Sequence, residues 1–404
     1  MLCAFDLSLR HLDAVVAVTQ QGSISGASVS VNMSQPALTQ ALAKLEAQVG
    51  HRLFERQARG VHPTPAGDLF LQRVERALQR IVDGGRRIPR APRLTPLAHL
   101  QRMVSMGQLR ALSALERAGS YVLAAQELGL SQPTVHRAVK DLEALIEVPL
   151  VLRAGRVVRL TPEAVRLVSA IRLMAAELDA GLDELNALTL QGAGRVAIGA
   201  LQLPRVRLLP AALASFMRQY AQAAVRVVEG HYGELLGQVR TGELDMMVGA
   251  LREPPPTQDV QQIALFSDVL HVVARTEHPL MKLRTRRLSE LRSYPWVVGA
   301  KGAPMRSVWE RLFAGVDYPM VTVECSSILA ARALLLQGDW LALMSPEHFS
   351  LERDLGLLVP IGAAVEGSRR SIGITTRSDF LPTAAQSAFI AALQVAASVR
   401  SCES

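Results

Sequence analysis

Cysteine is scarce in this 404-residue chain. Cys3, Cys325 and Cys402 are the only three, and none has the spacing of a metal site or a redox pair. That excludes a disulfide framework and points to a reducing, cytoplasmic setting. No apolar run approaches the roughly 18 residues that a membrane span requires. Arg10, His11 and Asp13 interrupt the apolar N-terminus, so no secretory leader is read there, and the Asn32-Met33-Ser34 sequon is a chance match. A metal set, a phosphate loop and an activated nucleophile are also missing. Gly192 and Gly194 begin a G-x-G without a third glycine or a preceding strand, and Glu229/His231 and Glu243/Asp245 sit in ordinary loop contexts. The expectation is a protein that is not an enzyme and needs no cofactor.

What remains is ample core material and a basic balance. Hydrophobic residues make up 49% of the chain, which argues against disorder, and the length allows two or three domains. The net charge of +8 suits a polyanionic partner. It is concentrated early: residues 1–100 hold 12 Lys and Arg against 7 Asp and Glu, while residues 101–191 hold 10 of each.

The chain also repeats itself with one offset of 97 residues. Gly22-Ser23, Ala27, Ser34-Gln35-Pro36, Leu45-Glu46-Ala47, Leu53, Arg56, Arg59, Val61 and Thr64-Pro65 return as Gly119-Ser120, Ala124, Ser131-Gln132-Pro133, Leu142-Glu143-Ala144, Leu150, Arg153, Arg156, Val158 and Thr161-Pro162. Two copies are too few for a solenoid and indicate a duplicated domain.

In the first copy Leu9, Leu12 and Val16 recur at helical spacing, and Gly22-Ser23 breaks that helix. A short helix carrying Ala27 and Val31 follows. Ser34 then caps a third helix, with Pro36 tolerated in its first turn. Leu38, Leu42, Leu45 and Val49 form that helix's buried stripe, and Gln35, Thr39, Gln40 and Lys44 lie opposite. Gln matches the N6/N7 edge of adenine, and Lys reaches guanine or phosphate. Arg56, Arg59 and His62 mark a basic two-stranded wing suited to phosphates. In the second copy the outer face carries Gln132, Pro133, His136, Arg137 and Lys140, the wing carries Arg153 and Arg156, and Glu147 replaces the Gly50 stop.

On these residues the stretch from Gly22 to Gly67 resembles the winged helix–turn–helix of LysR-type transcriptional regulators. The resemblance rests on Gly22-Ser23, Ala27, Ser34-Gln35-Pro36-Ala37, Leu45-Glu46, Gly50, Leu53-Phe54-Glu55-Arg56, Thr64 and Gly67. Family members ordinarily carry one such unit. From Gly194 onward the chain resembles the family's two-lobed, periplasmic-binding-protein-like effector domain, closest to the subgroup typified by a regulator of a galactose-binding-protein gene.

The expected organisation is a first unit with its trailing helix over residues 1–82, a Gly/Pro/Arg-rich linker at 83–104, and a second unit at 105–165. A linker helix at 166–191 and an effector domain at 192–400 complete it. Lobe 1 is expected at about 192–267 and 348–400, and lobe 2 at about 268–347. The long helix from residue 162 to about 188 carries Leu167, Ile171, Met174, Leu178, Leu182 and Leu185 on one seam. At 1.5 Å per residue it spans roughly 40 Å, and a dimer contact is the expected cover for its stripe, with the chain's own effector domain as the alternative. Alternating strands and helices after residue 194 predict mainly parallel sheets, whose cleft lies at strand carboxyl ends. That rule selects Ala200, Gln202, His231, Ala250 and the helix start at Ser326-Ser327 as effector contacts, with Arg205 and Arg252 available to an acidic group.

The fold class read from sequence is therefore two α-rich winged helix–turn–helix domains, a long linker helix and an α/β two-lobed effector domain. The function read is a DNA-binding transcription regulator controlled by an anionic or sugar-like effector. Its expected partners are double-stranded DNA and RNA polymerase, and it is expected to form a homo-oligomer. The competing reading is a solute-binding module whose helix–turn–helix units serve protein contacts. Three roles stay open for the second copy: it reads DNA too, it is the main reader, or it is a packing module.

Overall fold

A computed structural model describes residues 2–57, 60–88, 97, 99–154, 157–283 and 287–401. The first unit contains α1 (Leu9–Gln21), α2 (Ile24–Ser30), α3 (Gln35–Val49), the wing strands β1 (Phe54–Gln57) and β2 (Gly60–Pro63), and α4 (Pro65–Arg86). The second contains α5 (Leu100–Met103), α6 (Met106–Ala118), α7 (Tyr121–Leu128), α8 (Gln132–Ile146), β3 (Val151–Ala154), β4 (Val157–Leu160) and α9 (Pro162–Thr189).

The same local chemistry builds both units. Ser34 and Ser131 cap α3 and α8 by accepting from Ala37 N–H and Thr134 N–H, each with Pro in the first turn. Glu46 and Glu143 then tie each recognition helix to its wing: Oε1 accepts from Leu53 and Phe54 N–H in one, and from Leu150 and Val151 N–H in the other. Glu147 takes the left-handed conformation (φ 56°) that Gly50 supplies in the first copy (φ 75°).

Between the units the structure departs from expectation. Helix α4 continues through Arg86, into the stretch read as linker. Gly84 and Gly85 are not breakers there but points of close approach. A Cβ on Gly84 would lie 2.4 Å from Ala170 Cβ, and one on Gly85 would lie 3.1 Å from Leu100. The α9 stripe is covered neither by a second chain nor by the effector domain, but by α4. Leu167, Ile171, Met174 and Leu178 are buried in one core with Phe70, Val74, Ala77 and Ile81.

The two helices run antiparallel, since Arg73 meets Gly181 and Glu184 while Gly84 meets Ala170. These contacts have an internal symmetry. Adding 97 to 84 and 73 gives 181 and 170, so the Gly84–Ala170 and Gly181–Arg73 contacts are one contact made twice around a pseudo-two-fold axis, the signature of an isologous interface. At its centre Glu177 accepts from Arg73, Arg76 and Arg80, and Arg73 is 2% exposed.

The effector domain begins with β5 (Arg195–Ala200), α10 (Leu208–Gln219), β6 (Ala224–Glu229), α11 (Tyr232–Thr241), β7 (Met246–Ala250) and β8 (Val260–Asp268). The second lobe holds β9 (His271–Arg275), α12 (Leu288–Leu291), β10 (Trp296–Val298), α13 (Pro304–Leu312), β11 (Thr322–Glu324), α14 (Ile328–Leu336), β12 (Leu341–Met344), α15 (Ser350–Asp354) and β13 (Leu358–Ile361). β14 (Arg370–Arg377) and α16 (Ala384–Ser401) return to the first. The sheets order as β6-β5-β7-β14-β8 and β11-β10-β12-β9-β13. Each has a parallel part, with β5 or β10 between its parallel neighbours, and an antiparallel part around β14 or β9. The return to lobe 1, expected near residue 348, comes only at β14. β13 pairs with β9, and Phe349 and Leu358 belong to the lobe 2 core.

Candidate DNA-reading faces and effector cavity

The buried stripe of α3 (Leu38, Leu42, Leu45) leaves Gln35, Pro36, Thr39, Gln40 and Lys44 exposed, and α8 does the same for Gln132, Pro133, Arg137 and Lys140. Apart from Lys44, each set lines an open groove, and Arg56 of β1 joins the first. Among the described residues, nothing covers either groove. His136 is half-buried against Tyr121, with ring centroids 5.0 Å apart. Lys140 is turned back onto Glu143, Nζ to Oε2 2.5 Å, so its charge is shared with the residue that ties the wing. Gln35 Nε2 donates to Ser25 Oγ at 3.2 Å and Thr39 Oγ1 to the Gln35 carbonyl at 2.9 Å. Arg59 and Arg156 lie outside the described residues, as does the side chain of Arg153.

Between the lobes lies a cavity of about 690 Å³. Gln202, His231, Ala250 and Ser326 line it as expected, together with Arg205 and Arg252. Ala200 does not, because it closes β5 inside the lobe 1 core, and Ser327 spends its hydroxyl capping α14 through Ala330 N–H. Gln202 donates across the cleft to the Ser326 carbonyl, 2.5 Å. Glu229 pairs with Arg205 rather than His231, and Arg252 stands 4.7 Å above the Tyr232 ring.

Three basic lining residues escaped the sequence reading: Lys301, His348 and Arg370. His348 falls in the segment assigned to the wrong lobe, whereas Arg370 opens β14, in the lobe expected for it. His348 is 1% exposed; burial, with Arg370, Arg332 and Arg205 nearby, pushes its imidazole down to about 3. It is therefore neutral. Its Nδ1 accepts from Ser345 N–H at 3.3 Å, which places the proton on Nε2, and Nε2 has no hydrogen-bond partner among the described residues. Ser345 Oγ donates to Asp268 Oδ1 at 2.5 Å, and Asp268 Oδ2 holds Arg370 at 2.8 Å. A polar chain thus runs from the cavity wall to the strands that join the lobes. No group of His, Cys, Asp and Glu able to hold a metal occurs among the described residues, and no helix there is long and apolar enough to cross a membrane.

Known proteins match this architecture in both parts. Residues 9–68 and 106–165 each match the bacterial regulatory helix-turn-helix protein family of lysR type, and residues 190–398 match the LysR substrate binding domain. The HTH-type transcriptional regulator GalR of Pseudomonas putida is 31% identical over 96% of each chain. Among solved structures, ArgP from Mycobacterium tuberculosis has a TM-score of 0.57 at 16% identity, covering 72% of this chain and 96% of its own. Full-length CbnR in complex with its target DNA has a TM-score of 0.51 at 19% identity, covering 72% and 98%. The portion of this chain that both leave over is about the size of one added unit. This chain belongs to the LysR family of helix-turn-helix transcriptional regulators and carries that family's DNA-binding domain twice.

Proposed function

We propose that both recognition faces read double-stranded DNA and that a small anionic effector, held between the lobes, controls the outcome. The DNA contacts assigned are Gln35, Pro36, Thr39, Gln40, Lys44, Arg56 and Arg59 in the first copy, and Gln132, Pro133, His136, Arg137, Lys140, Arg153 and Arg156 in the second. The observation that carries this reading is that both polar faces are exposed while everything behind them is buried. CbnR, solved with its target DNA, lends support from within the fold.

The effector assignment rests on charge and donors. Arg205, Arg252, Lys301 and Arg370 line the cavity against the single carboxylate of Glu229, and the Nε2–H of His348 is a donor awaiting an acceptor. Gln202, His231, Ala250 and Ser326 complete the contacts. Closure around the ligand acts by its differential affinity for open and closed lobes, altering contacts with DNA or RNA polymerase in the cytoplasm. Any homo-oligomer of chains uses a surface other than the α4–α9 seam, which is already occupied.

The test is binding-site mapping on genomic DNA, followed by titration of a recovered fragment at several salt concentrations. Protected sites are expected, with a log–log salt slope of about −0.9 for each phosphate neutralised. No footprint and no salt dependence would overturn the assignment.

A further inference from the structure

The pseudo-two-fold seam joins units that are unlike in charge. Arg80 and Glu177 are the same position of the repeat, 97 residues apart, and they face each other across the axis, Nη2 to Oε1 3.2 Å. Were two first units from different chains to pair this way, Arg80 would meet Arg80. Two second units would set Glu177 against Glu177. Like charges at such a half-buried contact disfavour both, whereas Arg73, Arg76 and Arg80 of α4 converge on Glu177 and Glu184 of α9. The seam therefore specifies first unit with second unit.

The outward faces are unlike as well. Gln35-Pro36 and Gln132-Pro133 correspond, but Thr39 is replaced by His136, Gln40 by Arg137, Ala43 by Lys140 and Lys44 by Asp141. Gln40 is matched to adenine, Arg137 to guanine, and Asp141 to the amino group of cytosine. In two-fold DNA readers, site symmetry mirrors protein symmetry. Here the backbone symmetry is kept and the side-chain symmetry is broken.

From this we infer that one chain supplies both halves of a two-fold DNA reader, and that each chain recognises two unlike elements in place of the inverted repeat selected by identical subunits. The inference rests on the DNA-reading proposal above, and it goes further by fixing the class of site and the stoichiometry.

The experiment is selection from a random-sequence duplex library with the full chain, followed by native mass spectrometry on a minimal duplex carrying one pair of enriched elements. The expected result is two unlike elements at fixed spacing with one chain bound per pair. A variant carrying His136→Thr, Arg137→Gln, Lys140→Ala and Asp141→Lys gives the second face the residues of the first at exposed or half-exposed positions. It should select an inverted repeat of the first element and bind the parent site at least about tenfold more weakly. Equal halves selected by the unaltered chain, two chains on one pair of elements, or an unchanged preference in the variant would each overturn the inference. A library with no enrichment at all would instead remove the DNA-reading proposal, and the inference with it.

Discussion

Gly67 and Ala164 are equivalent residues in the first turns of α4 and α9, yet only the second copy has room for a methyl group. A Cβ on Gly67 would stand 2.0 Å from the Leu53 carbonyl oxygen, whereas Ala164 is fully buried without displacing its wing. The same Leu53 carbonyl accepts Thr64 N–H and anchors the first wing to α4. Gly67→Ala should therefore destabilise the first unit by about 1–3 kcal/mol. Helix propensity alone predicts the opposite sign, so a rise in the urea midpoint would refute the steric account.

A second prediction concerns the helix seam. Gly84→Ala places a methyl against Ala170 and should cost about 1–3 kcal/mol. Ala170→Gly alone should cost only about 1 kcal/mol through helix propensity. Combined, the two should be no worse than Ala170→Gly by itself, a favourable coupling readable from a double-mutant cycle. Simple additivity would show that the helices do not touch there.

Glu177 should be a sensitive charge, since three arginines converge on it. Its side chain is 7% exposed, and removing it leaves the buried Arg73 with one carboxylate, Glu184, and the Leu381 carbonyl. Glu177→Ala should cost about 3 kcal/mol, the lower end of the range for breaking a buried pair. Burial pushes the carboxyl up, but the hydrogen bonds and charges of Arg76 and Arg80 outweigh it and hold it below its ordinary 4.5. A depressed folded value means that the stabilisation is complete above about pH 4.5 and is lost as pH falls below it and through the folded value. The gap between parent and variant in urea melts should thus narrow in acid; a gap that stays constant would contradict the assignment.

His348 gives the effector domain a different pH dependence. With the folded value about 3 and the ordinary value 6.5, the unfolded chain takes up a proton that the native state refuses. Stability is then complete above 6.5 and declines as pH falls from 6.5 toward 3, by at most about 1.4 kcal/mol per unit. His348→Gln should flatten unfolding profiles between pH 4 and 6 and weaken effector-dependent changes in DNA binding. A variant with the parent's pH profile would show that His348 is not held neutral.

Much of the DNA-binding part is legible locally. A capping Ser, a Pro in the first turn and a glycine stop set α3 between Gln35 and Val49 from a dozen neighbouring residues, and α8 repeats the plan. The partner of α9 is not legible in the same way. An apolar stripe shows that a helix needs cover but not which surface supplies it. Gly84-Gly85 beside Arg86-Arg87 has the composition of a linker until Ala170 and Leu100 are seen against it. In the effector domain the parallel strands stand out as short aliphatic runs. The strands β8 and β13 escaped because their pairing with β14 and β9 is long-range and antiparallel. His348 and Arg370 were missed for another reason: a cavity lined from both lobes appears only once the crossover is placed.

Joining both DNA-binding units in one polypeptide also changes how the reader responds to dilution. An assembly of separate chains falls apart as its concentration drops, and its affinity for a site then includes the cost of finding a partner. Here the α4–α9 contact is intramolecular, so its effective concentration is set by the length of chain between the helices. On the proposal that both faces read DNA, a cell holding very few molecules would still contain only complete readers.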